Sequence, residues 1–136
     1  MNTDKEEKDL TTEKILLEIE RNIHGLFKKY LQSTPLSVFV LDWSLKIIYM
    51  NPAFERLTGF QKEDMATGRA KFCVHPKDRE ETESSLTMAI VGRTAKCRCR
   101  IRGTDRSFHA LALSFSPLQC DERCLVLCVE FGPPTK

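Results

Sequence analysis

Between Thr11 and Gln32 the apolar residues Leu16, Ile19, Ile23, Leu26 and Tyr30 return at alternating spacings of three and four, with Glu, Lys and Arg between them. That period predicts an amphipathic helix over about 11–32. Ile15 and Phe27 widen the stripe beyond a coiled-coil seam, so it needs a cover larger than one partner helix. A sheet face or a dimer mate would serve. Ser33-Thr34-Pro35 ends the helix, because the residue before a proline is pushed out of helical conformations. The residues ahead of it, charged with both signs, read as a disordered start.

The period then changes. Ser37 to Leu41 and Lys46 to Met50 are short runs rich in β-branched and aromatic residues, joined by Asp42-Trp43-Ser44-Leu45, and read as a hairpin. Asn51-Pro52 opens a short helix with a capping side chain and a first-turn proline, and Gly59 stops it. Phe60 to Lys71 reads as short turns. Pro76 to Val91 is a longer helix with Glu80, Glu81 and Glu83 early and Gly92 at its end. Thr82, Leu86, Ala89 and Ile90 form its inner face. Three strands follow, Ala95 to Arg102, Ser107 to Ser116 and Cys124 to Phe131, separated by turns at 103–106 and 117–123. The first alternates cleanly, with Cys97, Cys99 and Ile101 on one face and Lys96, Arg98, Arg100 and Arg102 on the other. The last two are apolar on both faces, so both need cover. One side suits the inserted helices and the other the N-terminal stripe. Five strands with helices between the second and third make an α+β domain.

Length and composition narrow this further. A chain of 136 residues suits one compact domain. At 41% hydrophobic and 29% charged it has a globular composition, and its net charge of +2 implies neither nucleic acid nor an anionic membrane as partner. Apolar runs such as 36–41 and 125–129 are too short for a membrane helix, and no secretory signal is visible, so the chain reads as cytoplasmic. Six cysteines in a reducing compartment read as mostly free, buried thiols. No P-loop, nucleophile elbow or carboxylate pair is present, so the chain reads as non-enzymatic.

The run Asn51-Pro52-Ala53-Phe54-Glu55-Arg56-Leu57-Thr58-Gly59-Phe60, then Gly68, then His75-Pro76-Lys77-Asp78-Arg79-Glu80, with Asp42 near the first hairpin, resembles the Per-Arnt-Sim (PAS) sensor family. The resemblance covers roughly 34–131. It implies a five-stranded antiparallel sheet in the order 2-1-5-4-3, with helices on one face around a small-ligand or cofactor pocket and an N-terminal flanking helix. The domain organisation follows: a flanking segment at 1–32, a sensor domain at 33–131 and a tail at 132–136. The family commonly senses a ligand, redox state, gas or light and passes the change to a partner, often as a dimer. A homodimer through Leu16, Ile19, Ile23, Leu26, Phe27 and Tyr30 is expected, or contact with a partner signalling protein. With only 132–136 after the last strand, no output domain is expected on the chain, which reads either as an excised sensor or as a stand-alone module.

Pocket candidates are Phe54, Leu57, Phe72, Thr82, Ser85, Leu86, Ile90, Cys97, Cys99 and Ser114. Thr82, Ser85 and Ser114 could hydrogen-bond a polar ligand or their own backbone; Phe54, Leu57, Phe72, Leu86 and Ile90, with Met88, are read as plain core before a cofactor box. The ligand is unidentified. The light-oxygen-voltage branch resembles Gly-x-Asn-Cys-Arg-Phe-Leu-Gln, and here Lys71 stands at the cysteine position, which disfavours flavin-adduct chemistry. An axial histidine for haem is missing from the long helix. His75 reads as a cap and His109 as structural, and no histidine pair has metal spacing. Should the faces of the late strands coincide, Cys97, Cys99, Cys124 and Cys128 would line one wall, across the small residues Ala110, Ala112 and Ser114. Small hydrophobes, a redox set and a metal site are the readings of those thiols. The Lys96 to Arg102 stripe is a solvated face or a dock for an acidic partner. Three functions therefore stay open: a ligand-binding regulatory sensor, a pure interaction module, and a thiol-based redox or metal sensor.

Overall fold

The structure, a computed structural model, describes residues 14–15, 17, 21, 24–120 and 123–131. The chain divides into two compact units, 1–33 and 34–136. In the first, residues 24–33 form continuous helix, and 14, 15, 17 and 21 are also helical. Leu26, Phe27 and Tyr30 are exposed there, the two rings stacked with centroids 6.5 Å apart. Leu16, Ile19 and Ile23 lie outside the described residues.

The second unit carries β1 (Val38–Leu41), β2 (Ile47–Met50), α1 (Pro52–Thr58), α2 (Lys62–Ala66), a 3-10 turn (Pro76–Asp78), α3 (Arg79–Ile90), β3 (Ala95–Arg102), β4 (Phe108–Cys120) and β5 (Arg123–Glu130). The strands form one antiparallel sheet in the order β2-β1-β5-β4-β3, as the resemblance implied. Register decides its faces, since directly paired residues point the same way. Cys97 pairs with Leu113 and Cys99 with Leu111, while Phe115 pairs with Cys128 and Cys128 with Phe39. All of these are buried, and they form one core with Phe54, Phe72, Leu86 and Ala89 from the helical side. Each large side chain buried this way stabilises the fold by roughly 1.5–3 kcal/mol.

The connection between α2 and α3 covers part of each outer strand, at the start of β2 and the end of β3. Lys46 and Lys71 form a bridge beside β2, and the Ile47 amide donates to the Ala70 carbonyl at 2.9 Å. On the far edge the Arg102 amide donates to the Cys73 carbonyl and the His75 amide to the Arg100 carbonyl. Covering these groups removes a template for strand addition.

The structure departs from the sequence reading in four places. Lys62–Ala66 is a helix where only turns were expected, started by a reciprocal cap in which Asp64 accepts from the Gln61 amide at 2.8 Å. β4 runs on to Cys120 through Pro117, because β3 pairs with β4 only as far as Phe115, and beyond that point a proline sits on an edge strand. Ile90 and Met88 are exposed rather than packed inward; the buried stripe of α3 is Thr82, Ser85, Leu86 and Ala89. Ser114 pairs with Lys96 and Val129 on the outer face, away from the helices, so it leaves the pocket set.

α1 ends against the β3–β4 turn. Gly59 has φ +79°, and a Cβ on Gly103 would stand 2.7 Å from the Thr58 carbonyl oxygen, so only glycine permits that approach.

Candidate functional site

The space between helices and sheet is filled by aromatic rings. Phe39 and Phe54 stack with centroids 4.1 Å apart, Phe72 lies 5.6 Å from Phe39, and Phe115 meets Phe72 edge-on at 6.2 Å. Phe60 closes the outer end at 6.4 Å from Phe54. At these distances the rings pack against one another and fill the space around them.

A cleft of about 300 Å³ opens beside this stack, lined by Leu45, Phe72, Cys73, Val74, Arg79, Thr82, Glu83 and Leu86. Arg79, Thr82, Glu83 and Leu86 are one face of α3, at i, i+3, i+4 and i+7. Leu45 reaches the cleft from the hairpin turn, where it holds φ +67°. Apolar walls with a cation and an anion at the rim suit a small molecule with an apolar body and a charged or polar end.

The sequence profile of the PAS fold family matches residues 47–129, more than half of the chain. The chain belongs to the PAS family. Solved structures agree on the fold. The PAS domain of a protein from Colwellia psychrerythraea is similar at 19% identity, with a TM-score of 0.63 over 82% of this chain and 98% of that one. A domain of a sensory box sensor histidine kinase/response regulator from Geobacter sulfurreducens aligns at 14% identity and TM-score 0.62, covering 80% and 93%. The PAS domain of nitrogen regulation protein NR(II) from Vibrio parahaemolyticus aligns at 17% and 0.59, covering 77% and 95%. No curated protein matches the chain in sequence.

Within this PAS domain the expected pocket residues separate into three groups. Phe72, Thr82 and Leu86 line the cleft. Phe54, Ser85, Cys97 and Cys99 are buried behind it, and Leu57 packs on the core from the side. Ile90 and Ser114 belong to neither. Leu45, Cys73, Val74, Arg79 and Glu83 were missed; helical spacing from Thr82 would have found Arg79 and Glu83, but only the fold brings Leu45, Cys73 and Val74 to them. The Thr82 hydroxyl donates to the Asp78 carbonyl at 2.7 Å and touches the Cys97 sulfur at 3.6 Å, so its first hydrogen bond is to its own helix.

The thiol faces do coincide, but not across small residues. Cys97, Cys99 and Cys128 are buried on the inner face, with Leu111, Leu113 and Phe115 of β4 between them, whereas Ala110, Ala112 and Ser114 face outward. Burial, with Cys97 beside it, pushes the Cys99 thiol up to about 12, and burial with Cys99 nearby raises Cys128. Such thiols stay protonated and poorly nucleophilic at neutral pH. No group of metal-ligating side chains occurs among the described residues. Cys73 and Cys124 are free and exposed.

Asp78 stands ahead of α3 but does not cap it. Its carboxylate accepts from the Arg100 backbone amide at 2.9 Å and from the guanidinium Nε and Nη2 at 2.8 and 3.0 Å. Those Arg100 hydrogen bonds hold its pKa at about 2, below the ordinary 3.8. A depressed folded-state pKa contributes stability that is complete above the unfolded value and lost as pH falls through the folded one. Asp78→Asn should therefore unfold at lower urea than the wild type at pH 6, with the gap closing between about pH 4 and 2. A gap independent of pH would show that the pair contributes nothing through charge. His75 is a cap, its Nδ1 accepting from the Lys77 amide at 3.1 Å.

Among the described residues no helix is long and apolar enough to cross a membrane.

Proposed function

We propose that this PAS domain is a regulatory sensor that takes a small molecule into the cleft along α3 and signals through a dimer mate or a partner protein. The observation that carries the reading is the cleft itself, set where the long helix, the 72–74 segment and the hairpin turn meet. An occupant there would press on Phe72, which contacts Phe39 and Phe115 and so reaches β1 and β4. Its size admits a fragment-like molecule, not a large cofactor. The exposed Leu26, Phe27 and Tyr30 support a helix-mediated contact with a second copy or partner.

The aromatic filling of the interior favours a second reading, an interaction module that holds no ligand. One experiment separates the two. Cys73 is exposed at the cleft, so an occupant should slow its alkylation by iodoacetamide. Native mass spectrometry of purified protein, followed by alkylation before and after removal of any bound species, should show a co-purifying small molecule and faster labelling of Cys73 once it is gone. Protein of apo mass, with labelling unaffected by a screen of small carboxylates and aromatic metabolites, would establish the interaction module instead.

A further inference from the structure

The outer sheet face at β3–β4 carries a second hollow, independent of whether the cleft along α3 takes a ligand. Its volume is about 240 Å³, and its lining includes Ala110, Ala112, Arg98, Arg100 and Asp78. The hollow follows from the register: Ala112 pairs with Arg98 and Ala110 with Arg100, so two small side chains leave a trough between longer neighbours. Arg100 is tied to Asp78 by two guanidinium bonds, which neutralises the carboxylate at that end. Arg98 and Arg102 are exposed and make no ion pair among the described residues. Lys96 lies over the Phe131 ring, 5.1 Å from its centroid. The outward positions of β4 and β5, at 108–118 and 125–129, include no acidic side chain to answer these charges. Exposed apolar surface continues beside the trough at Phe108, which is 41% accessible.

We propose that this trough is the docking site for an acidic, extended segment of a partner protein, whose carboxylates pair with Arg98 and Arg102 while an apolar side chain lies over Ala110 and Ala112. Charge complementarity selects the acidic partner. An apolar floor, with one of the three arginines already neutralised, suits a peptide better than a polynucleotide, which needs a longer run of free cations. Bidentate guanidinium–carboxylate pairing would set register, and the filled trough would supply the desolvated centre.

The test uses the full chain and a short fluorescein-labelled peptide alternating glutamate and leucine, read by fluorescence anisotropy. Binding should be saturable, weaken with added salt, and fall with glutamine in place of glutamate. Arg98→Glu with Arg102→Glu should weaken it by about tenfold or more. Ala112→Leu fills the trough without changing charge and should weaken it comparably, while Arg93→Glu, outside the trough, should change it little. Circular dichroism melts confirm folding; if Ala112→Leu fails to fold, Ala110→Leu replaces it. Equal binding of the glutamine peptide, equal binding of a single-stranded oligonucleotide, or trough-filled protein that binds as the wild type does would each overturn the proposal.

Discussion

Phe54→Ala is expected to lower the stability of the domain by about 3–5 kcal/mol, the range for emptying a large, fully buried aromatic site. Phe54 is 1% exposed and stacks on Phe39, which is fully buried. α1 cannot sink into the gap, because its end is held by the Thr104 amide, which donates to the Thr58 carbonyl at 2.7 Å. The void should therefore persist, and a dry apolar cavity of that kind accepts small apolar molecules. Urea unfolding measures the loss, and a thermal melt should show a fall of roughly 15 °C or more. Benzene or indole should recover part of it by binding only the folded state. Phe54→Leu, with a smaller void, keeps the comparison possible if the alanine variant does not fold. A loss below about 1.5 kcal/mol, or no recovery with either molecule, would mean that the ring is not the wedge that closes the interior.

The stability of the stack bears on function, because the rings fill the space between helices and sheet beside which the cleft opens. Phe54 and Phe72 could be placed near a pocket from their positions in the chain. That their rings join one stack depends on Phe39 and Phe115 arriving from β1 and β4, which are adjacent to one another only through β5. Periodicity is a local signal and cannot register such a meeting. The same limit explains Ser114. Alternation along β4 was legible, but which half faces the helices is set by pairing to Cys97 and Cys128 two strands apart. Strand order and the start of α1 were legible for the opposite reason, since Asn51-Pro52 and Gly59 act within one helix and the family motif spans them. Asp78 shows a partial reading: its place before α3 was visible, but its partner Arg100 lies 22 residues on.

Asn51→Ala should cost about 2–4 kcal/mol, more than an ordinary helix cap, because the side chain does more than cap. Its Oδ1 accepts from the Phe54 amide at 3.1 Å and from the Val38 amide at 3.0 Å, and its Nδ2 donates to the Leu36 carbonyl at 2.9 Å. The residue is fully buried, so alanine leaves amide and carbonyl groups without water to replace the lost partners. One side chain thus joins the entry to β1 with the first turn of α1, the helix that presents Phe54 to the stack. Asn51→Asp isolates the donor. Ionised, the carboxylate keeps the two acceptor bonds but faces the Leu36 oxygen with no hydrogen; protonated, it can donate again. Burial and that oxygen raise its folded-state pKa, while the Val38 and Phe54 amides and the α1 N-terminus lower it. With desolvation at this fully buried position the larger effect, the variant is favoured at low pH and loses stability as pH rises above about 4 and through the raised value. Urea midpoints from pH 5 to 8 should then show Asn51→Asp falling progressively below the wild type, while the deficit of Asn51→Ala stays constant. A flat deficit for both variants would place the Leu36 contact outside the energetics of the junction, and leave the two bonds to Oδ1 as what couples β1 to the helix carrying Phe54.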